Sequence, residues 1–533
     1  MRLMGRATGP ASRVFLVAVL AAAAIAPAEA GRRPHRPPPG GGGGGGTGGP
    51  VINPLSSCGA LTASEVTGLL NGAATAVGFP NLVVAVVDRP GNVLGLYLQG
   101  SPTLADEDLA VGLARTGAFF SNDQAPLSSR TVRFISGLHF PPGIARTPNA
   151  ALYGIENTNR GCDLNVTFNS GQSLPRATSV AGGPCDAAHP SGCGTGPVTG
   201  KVVDLSGNPV DRDSSAVNPG GLPVFRGGTL VGGIGVAGVP AGQLDAAEFA
   251  AFSAAVSVAG LTPFPVPLPD PGVVFIDGIR LPFVRQTQRP TGVPAGSASG
   301  SLTVTLPAIP CAPDGYLVGP LPGSSLSAGE VNQIVQQAVA AAGRTRAMIR
   351  LPIGQRTRMA IAVGDVDDTV LALYRMPDST VFSVDVAVAK ARNVAWFSGP
   401  GAGDVPRLPA GTAITNRTIS FGAQPLFPVG IDGSGPGPFF NLFQHDTLHP
   451  CTQGSATGPN RNGIVFFPGS LPLYKGSVLV GGLGVSGDGV EQDDYVTFLG
   501  AQGFLPPQGL QADNFFVDGV RMPFLKLPRN PEQ

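Results

Sequence analysis

The chain has little charge, few aromatic residues and no long apolar run. Charged residues make up 13% of the 533 residues, with 34 basic against 34 acidic side chains, so the formal net charge is zero. A chain without a basic excess does not capture nucleic acid electrostatically. No apolar stretch reaches the ~20 residues that a membrane span needs. We therefore expect neither a nucleic-acid partner nor a membrane span.

Glycine and proline are abundant instead. The sequence holds 78 Gly and 54 Pro, yet 42% of its residues are hydrophobic, which is too many for a solvated polymer. Only one residue is Trp and 6% are aromatic, so the cores are aliphatic and alanine-rich. At roughly 100–200 residues per domain, we expect a folded protein with many turns and roughly two to four cores.

The N-terminus has the features of an export signal. Three arginines precede or begin an apolar run over residues 14–25, and Ala28-Glu29-Ala30 supplies small residues for cleavage. We predict a signal peptide over 1–30 and a secreted, periplasmic or cell-surface protein; a retained anchor is the alternative. Residues 31–54 are rich in Pro and Gly, which predicts a flexible tether.

The sequence contains an internal duplication. LTASEVTGLL from Leu61 recurs as LSAGEVNQIV from Leu326, each with a hydroxyl residue three positions before a glutamate. This spacing is typical of a capping box at a helix start. VAVVD and IAVGD strands follow, and a second helix beginning near Asp108 or Asp385 comes after them. The two copies thus share the order helix, hairpin, helix.

The repeat is plainest in a glycine-rich hairpin. LVGGIGVAG ends at Gly238 and LVGGLGVSG ends at Gly487, and a closing helix follows, clearest over 245–258 with Asp245 and Glu248 as a candidate capping box. Asp277-Gly278 and Asp518-Gly519 then predict terminal hairpins. Along the chain, the duplication predicts a first domain over 55–286, a linker over 287–306, a second domain over 307–528 and a tail over 529–533.

The opening helices, the VAVVD and IAVGD strands, the helix DVAVAKA at 385–391 and the LVGG strands resemble the GlcG/HbpS-like family, which is similar to the C-terminal domain of PduO-type proteins. Two tandem copies of that module would be present. The resemblance implies an α+β, profilin-like fold with antiparallel sheets flanked by helices, haem binding or haem degradation, and oligomeric assembly. Leu113 replaces Lys390 in the first copy, which indicates a degenerate first domain.

Both LVGG strands also satisfy the dinucleotide pattern G-x-G-x-x-G. The acidic residue that should follow some twenty positions later is missing, since Val258 and Pro507 stand there, and no βαβ series precedes the motif. We expect these glycines to let a core strand bend or pack closely.

The six cysteines of an exported chain should be paired. Cys58 and Cys311 each precede an opening helix, while Cys162 and Cys451 each lie in the insertion of their own copy. The duplication therefore predicts Cys58–Cys162 and Cys311–Cys451, and leaves Cys185–Cys193 as a local loop. A thiol metal site is the alternative, but no Cys-x-x-Cys pair supports it.

Histidine is the natural axial ligand of haem. His445 and His449 are four residues apart, so one helical turn would bring them together, although Pro450 and nearby glycines argue against a regular helix. Glu156 and Arg160 stand at the aligned positions of the first copy. His139, at the end of a predicted strand over 132–140, is a weaker candidate, and His35 and His189 have a surface role by default.

Catalytic motifs are scarce. Neither a Gly-x-Ser-x-Gly elbow nor a phosphate loop is present. The pairs Asp367-Asp368 and Asp493-Asp494 are read as solvated charges or caps. We expect a secreted binder of haem or a related small cofactor whose two domains form an internal pseudo-dimer, with further oligomers allowed. The alternatives are a structural or interaction module of the cell surface or matrix that has lost the ligand site, and a haem-degrading enzyme.

Overall fold

The computed structural model describes residues 60–136, 152–158, 217–265, 275–276, 279–306, 314–428, 434–449, 452–455 and 461–533. The chain divides into units Met1–Val51 and Ile52–Gln533, and every described residue belongs to the second unit. We call residues 60–306 the first half and 314–533 the second half. The predicted signal peptide 1–30 and tether 31–54 lie outside the described residues. So do all six cysteines, together with His35, His139 and His189.

Each half is built from short strands and a few helices. The described elements of the first half are α1 (Ala63–Ala76), β1 (Val83–Asp88), β2 (Val93–Leu98), α2 (Leu104–Phe120), α3 (Ser129–Ile135), β3 (Gly221–Arg226), β4 (Thr229–Ala237), α4 (Leu244–Ser257), β5 (Leu261–Thr262), β6 (Phe275–Ile276), β7 (Ile279–Arg280) and β8 (Ser301–Val304). Those of the second half are β9 (Gly315–Val318), α5 (Ala328–Arg344), β10 (Ala360–Gly364), β11 (Val370–Arg375), α6 (Phe382–Phe397), α7 (Asn416–Gly422), α8 (Phe440–Leu448), β12 (Ser470–Lys475), β13 (Val478–Ser486), α9 (Val490–Gly500), β14 (Phe516–Val517) and β15 (Val520–Arg521).

Capping boxes start the opening helices, as the sequence predicts. The Glu65 amide donates to the Thr62 hydroxyl at 3.2 Å while its carboxylate accepts from the Thr62 amide at 2.7 Å. Ser327 and Glu330 repeat the arrangement at the start of α5. Orphan amides at both helix starts are thereby satisfied.

The sheets of the two halves have the same central order. In the first half the strands run β5-β3-β4-β1-β2-β8, and in the second β12-β13-β10-β11-β9. All the pairings are antiparallel, and the register matches: Ala85 lies opposite Gly235 as Ala362 lies opposite Gly484. Helices cover the sheets, so the expected α+β class with antiparallel sheets flanked by helices is confirmed.

Residues of the predicted linker 287–306 take part in the first sheet. Within them, β8 pairs with the outer strand β2, and Leu96 lies opposite Thr303. The Thr305 amide also donates to the Leu94 carbonyl at 2.8 Å.

The LVGG glycines allow helix and sheet to approach closely. A Cβ atom at Gly233 or Gly235 would lie 2.1 Å from the carbonyl oxygen of Ala114 or Ala110 in α2, and Gly482 and Gly484 face α6 in the same way. These glycines lie inside strands β4 and β13 rather than in a loop that opens a helix. The packing interpretation of G-x-G-x-x-G is therefore confirmed.

Three local predictions are wrong. Residues 129–135 form helix α3, not the start of a strand over 132–140, because the Ser128 hydroxyl accepts from the Thr131 amide at 3.1 Å and caps a helix. Asp245 and Glu248 form no capping box, because both carboxylates bind Arg130. Residues 440–448 form a regular helix despite Pro450.

The two halves contact each other through buried aromatic residues. The rings of Phe120 and Phe382 stack with centroids 4.3 Å apart. Tyr153, from the first half, packs against Phe443 and Phe466 of the second half. No helix in the described part of the chain combines the length and apolar character that crossing a membrane requires.

Candidate functional site

The histidine pair lies at the C-terminal end of helix α8. The helix ends at Leu448, two positions before Pro450 in the sequence. A proline beyond the last helical residue does not interrupt helical hydrogen bonds. His445 and His449 are thus one turn apart, and their rings stack with centroids 4.1 Å apart at an interplanar angle of 16°. The structure brings together two of the three candidate ligands.

The surroundings of His449 determine which ring nitrogen carries hydrogen. Its Nδ1 lies 3.0 Å from the carbonyl oxygen of His445. A carbonyl can only accept, so we assign the hydrogen of neutral His449 to Nδ1, which leaves the lone pair on Nε2. Ligating histidines are commonly oriented by such a second hydrogen bond. His449 is exposed, whereas His445 is half-buried with its Nε2 3.4 Å from the Thr452 hydroxyl.

The stacked arrangement limits what the pair can ligate. Two axial ligands of one haem lie on opposite faces of the macrocycle, and rings stacked on each other cannot occupy those positions. Asp446, between them, is buried and accepts from the Ile464 amide at 2.9 Å. Within the described residues, no group of three or more His, Cys, Asp or Glu side chains could hold a metal ion. The donor set would therefore fit a group held by one imidazole, and His449 is the exposed member of the pair.

Aromatic packing holds helix α8 in place. The Phe443 ring lies 4.8 Å from the ring of Tyr153 and 5.3 Å from that of Phe466. Phe440 stacks on Phe443 at 6.1 Å. Both halves therefore fix the helix that carries the histidine pair.

The first half places a different residue at the position aligned with His445. Glu156 lies there in a short 3₁₀ helix over Ile155–Asn157 and is buried. Arg160 and the third candidate ligand, His139, lie outside the described residues.

A second polar cluster lies in the core between α6 and α9. Lys390 donates to the Asp493 carboxylate at 3.0 Å and to the Val485 carbonyl at 2.7 Å, and its Nζ lies 5.0 Å from the centroid of the Phe467 ring. Lys390 and Asp493 are both buried. Burial lowers the pKa of Lys390 and raises the pKa of Asp493 to about 7.

The adjacent carboxylate, Asp494, is also buried. It accepts hydrogen bonds from Arg417, from the Gly469 amide at 3.0 Å and from the Lys526 amide at 3.0 Å. The interpretation of Asp493-Asp494 as solvated charge or caps is therefore wrong, because α9 turns both residues toward the core.

The interpretation of Asp367-Asp368 as solvated charges or caps is also wrong for Asp368. It is buried, forms an ion pair with Arg461, and burial raises its pKa to about 6. Asp367 is exposed.

The first half fills the same core position with apolar side chains. A Cβ atom at Gly469 would lie 2.6 Å from both the Asp493 Cβ and the Lys390 Nζ. At Gly220, the equivalent Cβ would lie 3.1 Å from the Ala247 Cβ and 3.6 Å from the Leu113 Cδ1. Leu113 and Ala247 thus replace Lys390 and Asp493 together.

The neighbouring ion pair is kept in both halves. Arg130 donates to Glu248 at 2.7 Å, and Arg417 donates to Asp494 at the matching place. Sequence reasoning found the change of Lys390 to Leu113 but missed its acidic partner. Aligning the two closing helices places Ala247 opposite Asp493, so the loss of the acidic partner in the first half could have been found from the sequence.

Comparison with known proteins gives a family match to part of the chain. Residues 326–501, about a third of the sequence, match the family model described as haem degrading protein HbpS-like. The matched segment contains α5 to α9, and with them the histidine pair and the Lys390–Asp493 pair.

Two solved structures are also similar to part of the chain. A crystal structure of a PduOC–haem complex is 21% identical, covering 34% of this chain and 94% of that chain with a TM-score of 0.23. The protein ORFY of Klebsiella pneumoniae is 17% identical, covering 33% of this chain and 86% of that chain with a TM-score of 0.22. No curated protein matches the chain.

Proposed function

We propose that this chain is a secreted binding protein for haem or a related planar cofactor, with the site in the second half. Two observations support the proposal: the family matched by residues 326–501, and the geometry of His449. The observation that carries it is the Nδ1 hydrogen bond of His449 to the His445 carbonyl, which leaves Nε2 of this exposed side chain as the nitrogen for ligation.

Each residue of the site has a separate task. His449 would hold the cofactor through Nε2, and the carbonyl of His445 fixes the orientation of its ring. Tyr153, Phe443 and Phe466 keep helix α8 in place while the ligand binds. Bound haem would supply redox-active iron, so scavenging and redox sensing are the roles we propose.

The first half is, in this proposal, a second copy of the HbpS-like module that does not bind the cofactor. Its matching strand order and register support common ancestry. Glu156 in place of His445 and Arg160 in place of His449 support the loss of the site. Export and the three disulfides are proposed from the sequence alone.

Titration with haemin tests the function. We expect a Soret band on addition of haemin to the full chain, and a shifted or lost band in His449→Ala. His445→Ala should keep the band with weaker binding, because it removes the stacked ring but leaves the backbone carbonyl. His139→Ala tests the third candidate, and His189→Ala is a matched control.

The same titration distinguishes the alternatives. An unchanged spectrum in His449→Ala would discard the ligand assignment. A wild-type chain that gives no Soret band would favour a structural or interaction module. A Soret band that decays when a reductant is added would indicate haem degradation.

A further inference from the structure

We propose that Lys390 and Asp493 condense to form an isopeptide bond that covalently joins helix α6 to helix α9. The amine nitrogen lies 3.0 Å from a carboxylate oxygen of Asp493, and both side chains are buried. Nothing in the proposed cofactor function requires this bond, so the two proposals stand independently.

Burial provides the chemical conditions for condensation. In water an ammonium group is no nucleophile and a carboxylate is a poor electrophile, so the two form an ion pair. Burial lowers the pKa of Lys390 and raises the pKa of Asp493 to about 7, which favours the amine and the carboxylic acid. Fixed reacting groups reach effective concentrations on the order of 10⁵–10⁸ M.

The groups around the pair leave Asp493 available to the amine. Asp494 is held by Arg417 and two backbone amides. By contrast, the Asp493 Oδ1 has no hydrogen-bond partner among the described residues. The Phe467 ring covers the Lys390 Nζ, and Gly469 has no side chain to separate the pair.

The step is balanced without an oxidant or a second reactant. The nitrogen lone pair attacks the Asp493 Cγ, a C–N bond forms and a C–O bond breaks. The departing oxygen leaves as water with the carboxyl hydrogen and one amine hydrogen. The remaining N–H of the amide keeps its acceptor, the Val485 carbonyl, which lies 2.7 Å from the nitrogen.

The first half indicates that the fold does not need this charge pair. Leu113 and Ala247 fill the same position between a helix and a strand. Replacing a buried ion pair with apolar residues is often neutral or stabilising. A charge pair kept in one half only therefore calls for a role beyond folding, and a covalent link is one that its surroundings support.

An exposed pair in the same half is an internal control. Lys475 donates to Glu330 at 2.9 Å, a similar distance, but both side chains contact solvent. Hydrogen bonds from Lys475 and Ser327 lower the pKa of Glu330 to about 2, so the carboxylate stays ionised. This pair should remain an ion pair.

Mass spectrometry of the full chain, unfolded and reduced, tests the proposal. We expect an intact mass lower by one water molecule than the mass calculated from the sequence. We also expect a cross-linked tryptic peptide that joins residues 376–392 to residues 476–521, because trypsin does not cleave after a modified Lys390. Lys390→Arg, which keeps the charge, should restore the full mass and yield separate peptides. Lys475 should be cleaved normally in every sample.

The wild-type digest decides the question without relying on the folding of any variant. Recovery of 376–390 and 476–521 as separate, unmodified peptides would overturn the proposal.

Discussion

Asp378 of the second half accepts a hydrogen bond from Arg89 of the first half at 2.6 Å, across the contact between the halves. The same carboxylate accepts from the Asp123 amide at 3.1 Å and from Arg350 at 2.5 Å. One side chain in a turn after β11 therefore connects three segments.

Asp378→Ala should destabilise the protein by about 2 kcal/mol, because three donors, two of them charged, lose their common acceptor. Urea unfolding measures the change. Asp513→Ala is the control, since Asp513 pairs with Arg521 at an exposed site at 3.2 Å and should cost less than about 1 kcal/mol. Equal losses in both variants would contradict a specific role for Asp378 between the halves.

Lys390→Leu should destabilise by about 3–5 kcal/mol, because Asp493 is left buried without its partner. Lys390→Leu combined with Asp493→Ala recreates the first half's pair and should recover a large part of that loss. Both variants lack the amine, so their comparison does not depend on an isopeptide bond. A double variant less stable than the single one, in the same unfolding assay, would show that the halves are not equivalent here.

The buried carboxyl of Asp488 should make stability depend on pH. Burial raises its pKa to about 6, against the lowering influence of Arg350 and Arg358 and alongside Asp378, which raises it further. A carboxyl group whose pKa is raised in the folded state favours folding while it is protonated. Its contribution to the free energy of unfolding is complete below the pKa of the unfolded chain, ~4, and is lost as pH rises through the folded-state pKa of about 6.

Asp488→Asn removes that dependence while an amide oxygen can still accept from the Arg358 amide. The variant should gain stability relative to wild type between pH 4 and 7, by on the order of 2 kcal/mol. Unfolding free energies measured at several pH values give the difference. A constant difference across that range would mean that Asp488 titrates normally.

Gly233→Ala should destabilise by about 1–3 kcal/mol or more, because the new Cβ would lie 2.1 Å from the Ala114 carbonyl oxygen in α2. Gly242→Ala is the matched control, since nothing lies within 4 Å of its Cβ position. Thermal unfolding should show a clear loss in the first variant and almost none in the second. Similar behaviour of both would refute close helix packing as the reason for glycine.

Sequence reasoning found the features that depend on local spacing. The capping boxes at Thr62 and Ser327 involve residues three positions apart, so their pattern alone specifies a helix start. The Asp518-Gly519 turn was predictable for the same reason, and both residues have a positive φ, of 51° and 76°.

Features that depend on distant partners were missed. Asp245 and Glu248 have the spacing of a cap, but Arg130, more than a hundred positions earlier, binds both. The burial of Asp493 depends on which face of α9 meets the sheet, and a weakly amphipathic helix does not reveal that face. For the candidate site, the four-residue spacing of His445 and His449 predicted that they lie close together. It did not predict the contact between the His449 ring and the His445 carbonyl, because that contact depends on the side-chain rotamer of His449.

Strand β8 has a practical consequence for dissecting the molecule. A fragment ending at residue 286 would leave the backbone of β2 open along one side, available to aggregate with other chains. An expression fragment of the first half should therefore extend to residue 306, so that its outermost strand is retained.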